Sequence, residues 1–144
     1  MLYLTLLTAF AVLAFLSVRR IPEGHAYTIH RFGRPARTLN AGTHVVLPLI
    51  EKVAHKIRLF GNVVEFKRDD AAGGLVYFQV LDPSRADSVI EGVDDLVRNR
   101  ALGLLASSDV ASDVASRILQ IKAGLNQLLR DRGILITRVQ LTLS

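Results

Sequence analysis

The sequence predicts an α+β fold behind an apolar helix, and three observations predict it. Residues 25–81 break into short extended runs separated by Gly, Pro and Asn. Residues 83–132 switch to a helical period, and residues 135–143 return to a two-residue alternation. Residues 2–18, LYLTLLTAFAVLAFLSV, carry no charge and are followed at once by Arg19 and Arg20. The expected organisation is an N-terminal helix over 1–20, a β-rich subdomain over 21–81 and an α/β subdomain over 82–144.

As a helix, the first segment would span roughly 26 Å at about 1.5 Å per residue, near the lower limit for a bilayer core of about 30 Å. A cleaved signal peptide would need a basic start and a small-x-small site, and neither is present. A buried core helix would need a polar stripe facing water, which residues 3–15 lack. The expectation is therefore a transmembrane anchor. By the positive-inside rule, Arg19, Arg20, Arg31, Arg34 and Arg37 keep the following domain in the cytoplasm, which gives a single-pass protein of a bacterial inner membrane.

The extended half is a meander. Residues 25–32 form a strand, Gly33-Arg34-Pro35 a turn, residues 37–39 a short strand, and Asn40-Ala41-Gly42 a tight turn before residues 43–47. Pro48 ends that strand. Residues 51–59 and 63–66 are the next strands, residues 67–74 a polar, glycine-rich loop, and residues 75–81 the last strand, closed by Asp82-Pro83. A first helix starts at Pro83 with Asp82 or Ser84 at its cap, and a second covers about residues 94–106. The third carries Val114, Ile118, Ile121, Leu125 and Leu128 at alternating steps of four and three, one buried stripe. Gly133 sits where a left-handed cap belongs. Leu135, Thr137, Val139, Leu141 and Leu143 then mark one face of a closing strand.

Composition limits the chemistry. The absence of cysteine excludes disulfides, thiolate metal sites and a thiol nucleophile. The net charge of +5 is uneven: residues 19–68 hold ten Lys/Arg against three Asp/Glu, and residues 69–144 hold eight against ten. A basic patch beside an anchor matches anionic headgroups better than nucleic acid. His25 and His30 fall on opposite faces of one strand, and His44 and His55 lie in other segments without acidic partners at ligand spacing. Asp69-Asp70 and Asp94-Asp95 are adjacent and diverge. Ser107, Ser108 and Ser112 lie around helix starts, where serine caps amides. Gly73-Gly74 lacks the Lys-Ser/Thr of a phosphate loop. No nucleophile, metal set or cofactor motif is expected.

Arg31-Phe32-Gly33-Arg34, then Leu39-Asn40-Ala41-Gly42-Thr43-His44, then Leu47-Pro48-Leu49-Ile50-Glu51-Lys52-Val53 resemble, in order and spacing, the opening of the stomatin, prohibitin, flotillin and HflK/C family (SPFH, or band 7). Ile21-Pro22-Glu23-Gly24-His25-Ala26 is similar to its entry segment in shortened form. Tyr77 to Pro83 is similar to its strand ending in Asp-Pro, and Arg117 through Gly133-Ile134 to Val139 to its long helix and closing strand. Gly24, Phe32, Gly33, Gly42, Pro48, Asp82, Pro83 and Gly133 are the structural positions of that resemblance. It implies an SPFH-like domain and a non-enzymatic, membrane-anchored scaffold without cofactors. Such a scaffold would assemble laterally as a homo-oligomer or with an SPFH relative, and would organise lipids and membrane proteins, including a membrane protease.

Two departures from the family pattern stand out: residues 67–74 are short where the family has a further hairpin, and no long helix follows the closing strand. A truncated member that limits assembly of a full-length relative is the alternative, and a small membrane-bound hydrolase a further one. The expected assembly surface is Arg117, Lys122 and Arg130. Arg19, Arg20, Arg31, Arg34 and Arg37 are the expected headgroup contacts.

Overall fold

The computed structural model describes residues 1–68, 72–108 and 113–143 and mixes helix with strand. The chain divides into two compact units, Met1–Ile57 and Arg58–Ser144. The division falls after Ile57 because the strands that follow it join the sheet of the closing strand.

In the first unit, α1 (Leu2–Ser17) is followed by β1 (Val18–Ile21), β2 (His25–Arg31), β3 (Arg34–Leu39), β4 (Gly42–Val45) and β5 (Glu51–Arg58). The sixteen residues of α1 make a helix of about 24 Å. Among the described residues, no helix is long and apolar enough to cross a membrane. This overturns the expected transmembrane anchor and the single-pass location inferred from it. The helix stops short because Val18 turns extended, at φ −82° and ψ 125°, and residues 18–21 pair antiparallel with residues 42–45. Arg19 and Arg20 thus belong to a strand rather than to the flank of a helix.

Strands β3, β2 and β5 form a second small sheet in that order. The β2–β3 hairpin turns through Phe32 and Gly33, both left-handed at φ 53° and 78°. Pro35 lies on the outer strand β3, where a missing N–H costs no ladder bond. Ile21, Ile29, Leu39 and Val46 form the core of this unit, with Tyr27 and Val53 packed against it.

In the second unit, β6 (Asn62–Lys67), β7 (Ala72–Val80) and β8 (Ile134–Leu143) form an antiparallel sheet with β7 in the middle. Between β7 and β8 run α2 (Pro83–Ala86), a 3₁₀ turn (Ile90–Gly92), α3 (Val93–Ser107), α4 (Val114–Leu129) and a second 3₁₀ turn (Arg130–Arg132). Helix α3 packs on β6, α4 packs on β8, and the two helices pack on each other. Val97, Ala101, Leu105, Ile121, Leu125 and Leu129 of the helices are buried, as are Phe66, Val76, Phe78, Ile134 and Ile136 of the sheet.

Three expectations change here. Residues 72–74 are strand rather than loop, because glycine at these positions lets neighbouring strands close in. A Cβ on Gly74 would lie 2.1 Å from the Gln140 carbonyl oxygen, and one on Gly73 2.8 Å from that of Phe66. The rest of the expected loop, residues 69–71, lies outside the described residues. The buried stripe of α4 is Arg117, Ile121, Leu125 and Leu129, while Val114 and Leu128 are exposed. In β8 the buried face is Ile134 and Ile136, then Val139. Opposite β8, Tyr77 pairs with Arg138 but Phe78 pairs with Ile136, so Thr137 is an extra residue that reverses the alternation.

Candidate functional site

The expected headgroup arginines separate into two groups. Arg37 grips the Glu51 carboxylate with Nε and Nη2, both at 3.2 Å, and donates from Nη2 to the Val45 carbonyl at 2.6 Å. Arg31 approaches the same carboxylate at 3.7 Å, and the Leu47 N–H donates to it at 3.4 Å. Burial of Glu51 opposes its ionisation. The Leu47 N–H, the hydrogen bond from Arg37 and the charges of Arg37 and Arg31 together outweigh burial and hold the carboxyl below its ordinary value. Arg31 and Arg37 therefore fasten the start of β5 to the β2–β3 hairpin. Arg19, Arg20 and Arg34 are exposed.

Arg19 and Arg20 line a cavity of about 590 Å³ within the first unit. Strand β5 adds Lys52 and Lys56, which share a face at a spacing of four. Lys56 Nζ stands 5.4 Å from the centroid of the Tyr27 ring, which also lines the cavity. Leu16, Val18, Val46 and Val53 supply apolar wall. Glu51 borders the cavity as well, with its charge already met by Arg37 and Arg31.

The expected assembly residues do not share one environment. Arg117 is buried at 8% exposure and donates from Nε to the Ser108 hydroxyl at 3.0 Å, so it ties α4 to the end of α3 and presents no surface. Lys122 is half-buried and Arg130 exposed. The serines, too, depart from expectation. Ser107 and Ser108 stand at the end of α3, and their hydroxyls donate to the Leu104 and Leu105 carbonyls. Asp113 caps α4 instead, accepting from the Ser116 N–H at 2.8 Å. Ser112 lies outside the described residues.

The family-like structural positions have identifiable mechanical roles. Gly24, Gly33 and Gly42 have positive φ in three successive connections of the first unit. Pro48 sits in the turn closed by Leu47 and Glu51, and Phe32 projects from the hairpin tip at 81% exposure. Asp82, Pro83 and Gly133 meet. The Gly133 carbonyl accepts from the Leu81 and Asp82 N–H groups, and a Cβ on Gly133 would lie 2.5 Å from the Asp82 carbonyl oxygen. Asp82 Oδ1 also caps α2 through the Ser84 and Arg85 N–H groups. Left-handed Gly133, at φ 72°, therefore ends the second 3₁₀ turn and seats the Asp-Pro corner at once.

No protein-family model matches the sequence. The chain is 28% identical to the uncharacterized protein Rv1488 of Mycobacterium tuberculosis, over 98% of this chain and 42% of that protein. The same figures hold for the uncharacterized protein Mb1524 of Mycobacterium bovis. It is 27% identical to the uncharacterized protein C16G5.07c of Schizosaccharomyces pombe, over 80% of this chain and 32% of that protein. The chain thus spans less than half the length of these curated relatives. None of these names carries an activity, so any function must be argued from the chain's own residues.

Two groupings escaped the sequence. His30 and His55 meet across β2 and β5, with ring centroids 6.0 Å apart and planes at 89°. Glu51 finds Arg31 and Arg37 across twenty and fourteen residues. Knowing that β5 adds beside β2 rather than continuing the meander would have revealed both. No local spacing carries that information.

Proposed function

We propose that this chain is a non-enzymatic, SPFH-like assembly module that associates laterally with copies of itself or with a relative and organises partner proteins, a membrane protease among the candidates. The observation that carries the proposal is the surface of α1. Leu2, Tyr3, Leu6, Phe10 and Phe15 are each at least 70% exposed, and Leu4, Leu7, Val12 and Leu16 are more than half exposed. Thr5, Thr8 and Ser17 turn their hydroxyls back onto carbonyls of the same helix, so even the polar side chains leave its outside apolar. An uncovered apolar surface of this kind favours association. Because it runs round the whole helix, one flat partner would leave a wet side, and contact with several neighbours covers more of it. The family-like corners at Gly33, Gly42 and Asp82-Pro83/Gly133 support the SPFH-like reading.

Sedimentation of the full chain, in buffer and in a mild neutral detergent, tests the proposal. The expected result is a homo-oligomer that Leu6→Glu with Phe10→Glu reduces in mass while circular dichroism keeps its shape, since both side chains are exposed. A strict monomer at every concentration, capturing no relative on co-expression, would refute it.

A further inference from the structure

We propose that the cavity lined by Arg19, Arg20, Lys52 and Lys56 binds a phosphate group carried by a ligand with an apolar portion. Four cations border one cavity of about 590 Å³, large enough for a headgroup-sized ligand. Strand pairing brings these residues to one cavity, although Arg19 and Arg20, successive on β1, leave the strand on opposite faces. Strand β1 is held by β4 through the register Arg19 to His44 and Arg20 to Thr43, and β5 contributes Lys52 and Lys56 on one face. Among the described residues, no carboxylate pairs with any of the four. Their mutual repulsion is therefore relieved by solvent or by a bound anion. Glu51 is the one acidic group on the lining, and Arg37 and Arg31 hold it, so it subtracts little from the field of the other four.

The rest of the lining defines the ligand further. A bare anion would leave the half-exposed Leu16 and Val18 of the lining facing water, whereas a phosphate ester with an acyl or alkyl part covers them while its head meets the cations. Lys supplies mobile point charges and Arg a planar fork, and together they suit phosphate oxygens presented from several directions. The shared chemistry is a phosphate monoester. It could come from a lipid headgroup or from a small free phosphate.

Calorimetric titration of the full chain in neutral detergent, at low ionic strength, separates these sources. The probes are dihexanoyl phosphatidic acid, glycerol 3-phosphate and dihexanoyl phosphatidylcholine. Phosphatidic acid is expected to bind and phosphatidylcholine to bind much more weakly. Glycerol 3-phosphate, which lacks the apolar part, should bind more weakly than phosphatidic acid, and binding as tight would overturn the claim that the ligand carries an apolar portion. Lys52→Gln with Lys56→Gln should weaken phosphatidic acid binding about thirtyfold, as loss of two nearby cations implies. Arg19→Gln with Arg20→Gln should do the same. Arg68→Gln with Arg100→Gln removes equal charge from the second unit and should leave the affinity within about twofold. Equal weakening by all three pairs, equal binding of phosphatidylcholine, or no binding of either phosphate probe would overturn the proposal. The isotherm is read apart from oligomer mass, so its failure leaves the assembly reading standing.

Discussion

Glu51 is buried yet ionised because partners reach it from a turn and from two strands. Its lowered carboxyl value fixes the sign of a pH effect. The stability it contributes is complete above the ordinary value of 4.5 and is lost as pH falls through the lower folded value. Glu51→Gln should therefore cost about 2 kcal/mol at neutral pH and flatten the acid side of the melting-temperature profile; an unchanged acid limb would mean that other carboxylates govern it. Phe32 poses the opposite case. It occupies a left-handed position where hairpins favour Asn or Gly, and its ring is 81% exposed. Phe32→Asn should raise stability by about 1 kcal/mol, seen as a melting temperature higher by several degrees. A fall would show that the ring has a contact worth more than the backbone cost.

At the scale of elements, periodicity was legible where it runs without a break. Strand β5 and the extent of α4 follow from it, and β2 was legible despite the register shift after Ile29. It misled where geometry breaks the period. The glycines opening β7 carry the same signal as a loop, yet they serve close approach between strands. The extra residue at Thr137 shifts the phase of β8, and its hydroxyl bonds the Tyr77 carbonyl at 3.1 Å. In α4 a charged residue, Arg117, takes a core position because its stem packs and its head reaches Ser108. Gly74→Ala tests the account of β7. Its Cβ would meet backbone at 2.1 Å, which cannot rotate away, so a loss of about 3 kcal/mol or more is expected in denaturant unfolding. Gly124→Ala is the comparison. There the Cβ would meet the end of the Leu104 side chain at 2.7 Å, which can shift, so the loss should be about 1 kcal/mol or less.

For the whole molecule, two kinds of surface compete to explain assembly, and salt separates them. The sequence pointed to charges on the α/β half, of which Arg117 has proved buried; Lys122 and Arg130 remain the candidates there. The apolar outside of α1 offers a different force, because burying it releases water rather than pairing ions. Attraction between exposed charges reaches only about 3 Å at 1 M salt, against about 8 Å at physiological ionic strength, so contacts through Lys122 and Arg130 should weaken as salt rises. Association through α1 should hold or strengthen, most of all in sulfate. The expectation is an oligomer mass maintained from low salt to about 1 M and lowered by Leu6→Glu with Phe10→Glu, with Lys122→Glu and Arg130→Glu having the smaller effect. Sedimentation velocity across that range measures it. Dissociation with rising salt, together with insensitivity to the α1 substitutions, would transfer the assembly contact to the charged surface and leave the exposure of α1 in need of another partner.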